Sequence, residues 1–483
     1  MTDPFLFTAG SLFTLDYLVE GIAQTEEYRA VDAGALRARL TGIAAAFPQS
    51  HRTNESQTED DFIWPVLAAL GWNESLRQQN LTVTGREDVP DGLLFADAAA
   101  KASANSETDQ YKRYGHGLAA VESRRWGRPL DRATGRGGEA LAPSTQMLRY
   151  LRRIDDLTHG RLRWGILTNG EVWRLYWAGA RSVSEEFLEI DLGRILALGG
   201  RADAELFSSD ADREHWLRVF AVMFGRQAFV RDAEGRSFHQ RALKQAAFYE
   251  ERVADSLSAL VFNKVFPNLA AAIAEAEPGA PLEAVREAAL VLLYRLLFLL
   301  YAEDRALLPV NNARYDEYAL RPLRKDVARR ISENDAFAQS AARIWGHIAD
   351  LSRIIDGGDA SVGIPPYNGG LFARDAAGGL LERVRIGDAT MAPALDALSH
   401  ERGDGEARYI NYRDLSVQQL GSIYERLLEF EIVREDGSLA VRPNLFARKN
   451  SGSYYTPEEL VRLILDETLE PLIVERLGAF RLA

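Results

Sequence analysis

The sequence predicts an α/β domain followed by a mostly α-helical segment, and three observations support this fold class. Short apolar runs alternate with helical segments between residues 51 and 200. Two of these runs flank Asn169-Gly170, which is the strongest short-range signal for a β-hairpin. From about residue 205 the apolar positions follow the helical period, as in Leu217, Phe220 and Phe224.

The elements of the α/β domain are predicted in chain order. A short extended start precedes a helix at residues 33–46, and a capping box of Ser56 and Glu59 begins a second helix that ends before Gly71. The remaining predictions are strands at 81–84, 91–95 and 118–122, a loop at 97–115, a helix capped by Ser144 that runs to 157, and hairpin strands at 164–168 and 172–177.

The second half of the chain is predicted to consist mainly of helices. Residues 356–380 are rich in glycine and are expected to be irregular. Helices are predicted at 246–262, 284–301, 393–398, 416–430 and 457–475. We therefore expect an N-terminal extension (1–50), an α/β domain (51–200), a helical connector (201–445) and a final segment (446–483).

Composition excludes several classes of function. The chain has 483 residues and a net charge of -13, which argues against a protein that coats nucleic acid nonspecifically. It has no cysteine, so disulfides, thiol catalysis and cysteine-bound metals are excluded. The seven histidines are scattered without a metal-binding spacing, which argues against a histidine metal site.

Neither a signal peptide nor a membrane span is predicted. The N-terminus lacks a basic segment and a small-residue cleavage site. The most apolar run, residues 288–302, contains Arg295 and is too short to cross a bilayer, so it is predicted to be a buried helix. We expect a cytoplasmic protein that has no membrane partner.

Two acidic residues are predicted at the ends of neighbouring strands. Asp91 opens one strand and Glu122 closes the next, so their carboxylates can share a Mg²⁺ ion. Such an ion polarises a phosphodiester and activates water. Glu59 lies on the helix before the sheet, and Gln146 and Tyr150 are spaced to share one face of the helix after it.

In this order, these residues resemble the PD-(D/E)xK nuclease superfamily. The resemblance implies that Asp91 and Glu122 bind Mg²⁺ and that the other members of the motif complete the catalytic site. Those members are Glu59, Arg124, Gln146 and Tyr150. Residues 145–177 also look like the end of the nuclease domain in type I and type IIG restriction subunits.

Position 124 departs from the family pattern, which has lysine there. Arginine keeps its proton and is a bulkier planar donor, so it is a poor activator of water. Three interpretations stay open. The nuclease is impaired and kept for binding, or it is active with Arg124 or a nearby lysine such as Lys112, or lysine has drifted to arginine at a site that no longer cuts. The last fits a chain with six lysines and 51 arginines.

A local basic segment surrounds the proposed site. Residues 121–165 contain ten arginines and five acids, a net charge of +5 in an acidic chain. Arginines beside a metal site suit contacts with the phosphates of double-stranded DNA. The alternative is an ordinary solvated surface with ion pairs. The candidate DNA-binding residues are Arg125, Arg128, Arg132, Arg149 and Arg153.

A second motif lies near the C-terminus. Thr456 is predicted to cap a helix with Pro457 at its first position, after a loop that contains Tyr454 and Tyr455. The string resembles the Gly-x-Tyr-Tyr-Thr-Pro motif of adenine-N6 DNA methyltransferases. The resemblance implies that these four residues contact S-adenosylmethionine.

Taken together, the chain resembles the N-terminal half of a single-chain, type IIG-like restriction-modification or phage-defence enzyme. The glycine-rich loop and the catalytic Asn/Asp-Pro-Pro-Tyr of that family do not follow within these 483 residues. We therefore expect an endonuclease-like module, with S-adenosylmethionine bound only by a form that has the complete methyltransferase domain. The expected partners are DNA and a methyltransferase, specificity or companion defence subunit. The alternatives are an impaired DNA-binding or assembly module and a vestigial scaffold.

Overall fold

A computed structural model of the chain consists of two compact units, Met1–Glu250 and Glu251–Ala483. Each unit has its own hydrophobic core, so each is described separately. The structure describes residues 6–48, 53–83, 85, 88–133, 141–180, 182–198, 208–310, 312–367, 369–401, 408–428, 430–435, 438–443, 456 and 458–482.

A seven-stranded mixed sheet organises the first unit. Its strands are β1 (Thr8–Ala9), β2 (Ser75–Arg77), β3 (Gly92–Leu94), β4 (Ala119–Ser123), β5 (Trp164–Thr168), β6 (Val172–Trp177) and β7 (Phe187–Asp191). They are ordered β1-β7-β6-β5-β4-β3-β2 across the sheet. Strands β4 and β5 are parallel, which requires a crossover between them, and the helix Pro143–Thr158 supplies it. The α/β class predicted for this part of the chain is confirmed.

Helices cover both faces of this sheet. Leu94 and Val121 pack into a large core on one face, whereas Leu93 and Ala120 pack on the other face with residues of the crossover helix. This alternation follows from the two-residue period of a strand. The helices of the unit are α1 (Glu26–Arg29), α2 (Ala33–Ala46), α3 (Glu55–Thr58), α4 (Trp64–Ala69), α5 (Ala98–Ser106), α6 (Pro143–Thr158), α7 (Leu192–Ile195), α8 (Asp210–Phe224) and α9 (Arg226–Phe229). Helix α10 (Phe238–Leu260) begins in this unit and ends beyond its last residue, Glu250.

The helix at 33–46 and the hairpin around Asn169-Gly170 are confirmed. The strand predicted at 81–84 is wrong, because the edge strand is β2, residues 75–77. The Asn80 side chain explains the difference. It donates to the carbonyls of Thr82 and Gly85 and accepts from the Thr82 amide, so it holds a turn in place of an extended ladder.

Three predictions of local structure around helices are also wrong. Residues 97–115 are not a loop, since Asp97 accepts the Ala100 amide at 2.8 Å and caps α5. Alanine is the best helix former, and the alanines of this segment outweigh its polar residues. Asn54, not Ser56, caps α3 by accepting the Gln57 amide. Helix α6 starts at Pro143, so Ser144 does not cap it.

The second unit is largely helical. Its described helices are α11 (Phe266–Ala276), α12 (Leu282–Asp304), α13 (Leu320–Ser332), α14 (Arg343–Gly357), α15 (Leu380–Arg383), α16 (Asp388–Ser399), α17 (Val417–Leu428) and α18 (Glu458–Leu482). It also has two short hairpins, β8 (His400–Glu401) with β9 (Arg408–Tyr409) and β10 (Phe430–Glu435) with β11 (Ser438–Pro443). Neither hairpin was predicted, because the sequence indicated only helices in this part of the chain.

The apolar run at 288–302 forms part of the buried helix α12, as predicted. Its one charged residue, Arg295, donates to the carbonyls of Leu371 and Ala373, so its charge is compensated inside the unit. Among the described residues, one helical stretch, Phe238–Ala276, is long and apolar enough to cross a membrane, and 56% of its most apolar part is buried. A mostly buried helix of a folded core passes the same test, so this stretch is weak evidence for a membrane span.

A buried histidine in the first unit gives this fold a specific acid sensitivity. His239 lies between Trp164 and Phe229, with ring centroids at 4.4 and 4.5 Å. Burial lowers its pKa from 6.5 to about 4, although a hydrogen bond with the Met223 carbonyl opposes that shift. The unfolded chain therefore binds a proton at a higher pH than the folded chain does.

We expect His239 to reduce stability as the pH falls from about 6.5 towards 4, by about 3 kcal/mol in total. Urea unfolding of the wild type and His239→Phe at several pH values, followed by tryptophan fluorescence, measures this effect. The variant is expected to lose most of this pH dependence, whereas His159→Asn at an exposed helix end should keep it. Parallel pH profiles for wild type and His239→Phe would contradict the assignment.

Candidate functional site

A π-helical turn positions Glu59. Helices α3 and α4 are joined by the π turn Glu59–Ile63, in which the Trp64 amide donates to the Glu59 carbonyl. In a regular α-helix, residues five apart point about 140° away from each other. The wider turn reduces that angle and brings Glu59 and Trp64 towards one side of the helix. Such single turns are frequent at functional sites.

Ser123 joins Glu59 to Asp91. The Ser123 backbone amide donates to Asp91 Oδ2 at 2.8 Å. The Ser123 hydroxyl oxygen lies 2.8 Å from the same Asp91 oxygen and 2.8 Å from Glu59 Oε1. Two carboxylates from a helix and a strand therefore meet at the end of β4. The sequence predicted both acids but not the serine between them, which occupies the unspecified position of Glu-x-Arg.

Arg124 lies among the carboxylates of the site. Its Nη2 atom donates to Glu122 Oε1 at 2.5 Å and to Gln146 Oε1 at 2.6 Å. Its Nη1 atom is 3.7 Å from Asp91 Oδ2 and 3.8 Å from Glu55 Oε1. The side chain is 5% exposed, so these contacts are screened little by water.

The crossover helix completes the site. Gln146 Nε2 donates to Tyr150 Oη at 2.6 Å, so the spacing of four residues places both side chains on one face as predicted. Because Gln146 Oε1 accepts from Arg124, the tyrosine fixes the amide that in turn orients the guanidinium. The structure thus brings together all six residues predicted for catalysis, which are Glu59, Asp91, Glu122, Arg124, Gln146 and Tyr150.

The electrostatics of this cluster favour additional positive charge. Burial, and then repulsion from Asp91, raise the pKa of Glu59 to about 7. The same two causes raise the pKa of Glu122 well above its usual range, against the attraction of Arg124. Burial also raises the pKa of Glu55. Glu122 and Glu55 together raise the pKa of Arg124 although its burial opposes this. Glu55, Asp91 and Glu122 therefore lie within 4 Å of the buried Arg124 guanidinium, and Glu59 joins them through Ser123.

The donor set of Asp91 and Glu122 suits a hard divalent cation, because both offer carboxylate oxygens. Glu122 is 2% exposed, and its Oε2 atom has no hydrogen-bond partner among the described residues. An unpartnered buried oxygen is costly unless something binds it. In the part of the chain that the structure describes, however, no group of three or more acidic or histidine side chains is arranged to hold a metal ion.

The five candidate DNA-binding arginines differ in accessibility. Arg128 is only 3% exposed, so the prediction that it contacts DNA is wrong for this structure. Arg149 is exposed and Arg153 is half-buried, and both pair with the buried carboxylate of Asp88. Arg125 is half-buried and Arg132 is exposed.

The lysine proposed as a substitute for the family lysine does not enter the site. Lys112 pairs with Asp109 at 2.8 Å and is half-exposed on a short 3-10 helix, Gln110–His116. The buried cation of the cluster is therefore Arg124.

Two further residues of the site were not predicted. Glu55 lies four residues before Glu59, a helical spacing that could have indicated it. Arg77 lies on edge strand β2, 3.4 Å from Glu59 Oε2, and its guanidinium lies 3.6 Å from the centre of the Trp64 ring. No local pattern marked Arg77, because its role depends on the pairing of β2 with β3.

The methyltransferase-like motif falls largely outside the described residues. Tyr454, Tyr455 and Pro457 are not among them, whereas Thr456 is described and exposed just before α18. The predicted contacts of these residues with S-adenosylmethionine therefore stay predictions. Comparison with known proteins adds no assignment, since no family model, no curated protein and no solved structure matches this chain.

Proposed function

We propose that the first unit is a Mg²⁺-dependent DNA endonuclease module with a PD-(D/E)xK-like active site. One observation carries the proposal. Three carboxyl groups, those of Glu55, Asp91 and Glu122, lie within 4 Å of the Arg124 guanidinium, and Glu59 joins them through Ser123. A buried Glu122 oxygen is left without a hydrogen-bond partner among the described residues. These carboxyl groups would supply the oxygen ligands that a divalent cation prefers.

Asp91 and Glu122 would hold the ion, and Ser123 keeps Asp91 in place through two hydrogen bonds. When bound, Mg²⁺ would polarise the scissile phosphate and lower the pKa of a coordinated water. Glu59, held by Ser123 at the edge of the cluster, is placed to hold a water molecule beside the ligands.

Arg124, Gln146 and Tyr150 form a positioning chain. Tyr150 accepts from Gln146, and Gln146 accepts from Arg124. Because the guanidinium is buried, it would act through Glu122, whose carboxylate it holds in place, and not by direct contact with the phosphate. Arg124 would not act as a proton acceptor, since it stays protonated.

The wider function that we propose is DNA restriction or phage defence in the cytoplasm. The supporting observation is the order of the motifs, with the nuclease-like residues first and Tyr454-Tyr455-Thr456-Pro457 near the end. In this proposal, an adenine-N6 methyltransferase part or a companion subunit supplies modification and target recognition. S-adenosylmethionine would bind only where that part is complete.

The Arg124 geometry favours a second candidate, a DNA-binding or assembly module that does not cleave. The guanidinium already contacts Glu122 and lies within 4 Å of Asp91 and Glu55, where it partly neutralises the acids without a metal. In that case the fold would support an adenine-N6 methyltransferase by binding DNA.

Supercoiled plasmid incubated with Mg²⁺, Mn²⁺ or a chelator, together with gel-shift binding, separates the two candidates. The nuclease proposal predicts metal-dependent nicking by the wild type and equal or faster nicking by Arg124→Lys. The binding-module candidate predicts a gel shift without nicking by the wild type and a gain of nicking in Arg124→Lys. A wild type that neither shifts nor nicks DNA would contradict both.

A further inference from the structure

Arg77 stands at the outer edge of the carboxylate cluster. It is opposite Gly92 in the pairing of β2 with β3, and Gly92 directly follows Asp91. The Trp64 ring lies over Gly92, where an added Cβ would come within 2.5 Å of the ring. The absence of a side chain at Gly92 allows the Trp64 ring to lie there. The Arg77 guanidinium stacks on this ring, 3.6 Å from its centre.

The contacts of Arg77 leave its guanidinium available to a ligand. Its side chain is 41% exposed, and it reaches Glu59 and Asp60 at 3.4 Å each. Strong charge-assisted hydrogen bonds are shorter, about 2.7–2.9 Å. Asp60 is 68% exposed, so water weakens that pair further. Stacking on Trp64 fixes the guanidinium plane and leaves the donors along its edge accessible.

Arg124 and Arg128 differ from Arg77 in accessibility. Arg124 and Arg128 are 5% and 3% exposed, and Arg124 is hydrogen-bonded to Glu122 and Gln146. A nucleic acid that approached four carboxylates would be repelled unless an accessible cation met its phosphate. Arg77 is such a cation, and it is joined to the cluster through Glu59.

We propose that Arg77 binds a backbone phosphate of the DNA substrate, with Trp64 and Gly92 as the platform that orients it. The assignment rests on the proposed function, because it takes the carboxylate cluster to be the place where DNA is bound. Arg77 lies outside the nuclease-like motif, and its ligand would be a phosphodiester oxygen. Duplex DNA entering the site would exchange the long contacts of Arg77 with Glu59 and Asp60 for a phosphate.

Fluorescence anisotropy with a labelled DNA duplex in Ca²⁺, at several salt concentrations, tests the assignment. The variants are Arg77→Met, which keeps an apolar stem on Trp64, and Arg77→Lys, which keeps the charge but loses the planar fork. Arg236→Ala is the matched control, because Arg236 is also exposed beside an acid, Glu234, in the same unit. Circular dichroism checks that each variant is folded.

We expect Arg77→Met to bind DNA about 10-fold more weakly and to lower the slope of log affinity against log salt by about one unit. Arg77→Lys should recover part of the affinity, and Arg236→Ala should match the wild type. Binding that depends on Arg77 in a protein that never cleaves DNA would support the assignment while refuting the nuclease proposal. Equal affinities and salt slopes for wild type and Arg77→Met, or no DNA binding by the wild type, would overturn it.

Discussion

Replacing Glu122 with glutamine is expected to reduce Mg²⁺-dependent DNA cleavage by at least about 100-fold while leaving the first unit folded. Loss of a residue that only supports a metal ligand already costs roughly 10- to 100-fold in activity, so loss of a ligand should cost more. Glutamine keeps the shape of the side chain but not the negative charge that would hold the ion.

The same substitution should have little effect on stability. Burial and the nearby Asp91 raise the pKa of Glu122 well above its usual range, so without a metal the neutral form of the side chain is favoured. An uncharged glutamine resembles that neutral form and can still accept from Arg124. We therefore expect a change in unfolding free energy of about 1 kcal/mol or less.

Plasmid nicking rates and urea unfolding of wild type and Glu122→Gln measure the two effects. Glu214→Gln makes the same chemical change at a half-exposed position of the first unit and serves as the control. Full cleavage by Glu122→Gln would contradict the proposed role. A loss of cleavage together with unfolding would leave a structural role as the explanation.

The second large effect is expected in the helical unit, from Arg324→Leu. Arg324 is 1% exposed, pairs with the buried Asp304 at 3.2 Å and donates to Ser399 Oγ at 3.0 Å. Asp304 also accepts from the Tyr409 hydroxyl and the Tyr412 amide. Removing the arginine leaves a buried carboxylate without its counter-charge, which typically costs about 3–5 kcal/mol.

Chemical unfolding of the full chain, followed by circular dichroism, measures this loss. Arg329→Ala is the matched control on the same helix, because Arg329 is exposed and its partners Asp326 and Glu333 are solvated. We expect the control to unfold at the same denaturant concentration as the wild type. If Arg324→Leu did so too, the buried pair would not be a determinant of this unit's stability.

The six residues predicted for this site could be identified because each of them carries a local signal. Asp91 and Glu122 flank apolar strand runs, and the spacing of Gln146 and Tyr150 fixes a shared helix face. Asp91 and Glu122 meet because β3 pairs antiparallel with β4, with Gly92 opposite Val121. The helical crossover between the parallel strands β4 and β5 then places Gln146 and Tyr150 beside them.

The wrong predictions have a common physical cause. A side-chain hydrogen bond, a helix cap or burial in the fold overrides the structure that the local pattern favours. The alternating residues 81–84 suggested a strand, but the Asn80 side chain closes a turn there. Polar and small residues suggested a loop at 97–115, but a capping aspartate and a run of alanines form a helix. Local charge counting also marked Arg128 as a surface residue, although the fold buries it.

Residues whose contacts depend on tertiary pairing could not be predicted from local sequence patterns. Arg77 meets Glu59 because β2 pairs with β3 and because a π turn rotates Glu59 towards Trp64. Glu303, near the end of α12, accepts the amides of Leu320 and Arg321 and so caps α13. In this structure Glu303 therefore has a structural role.

Calorimetric titration of Mg²⁺ into the protein measures whether the carboxylate cluster binds a divalent cation, as we claim. We predict a binding isotherm for the wild type, with release of protons because carboxyl groups of raised pKa lose theirs when the ion binds. Glu122→Gln should give only the heat of dilution. Equal heats of binding in wild type and Glu122→Gln, or none in the wild type, would contradict the claim.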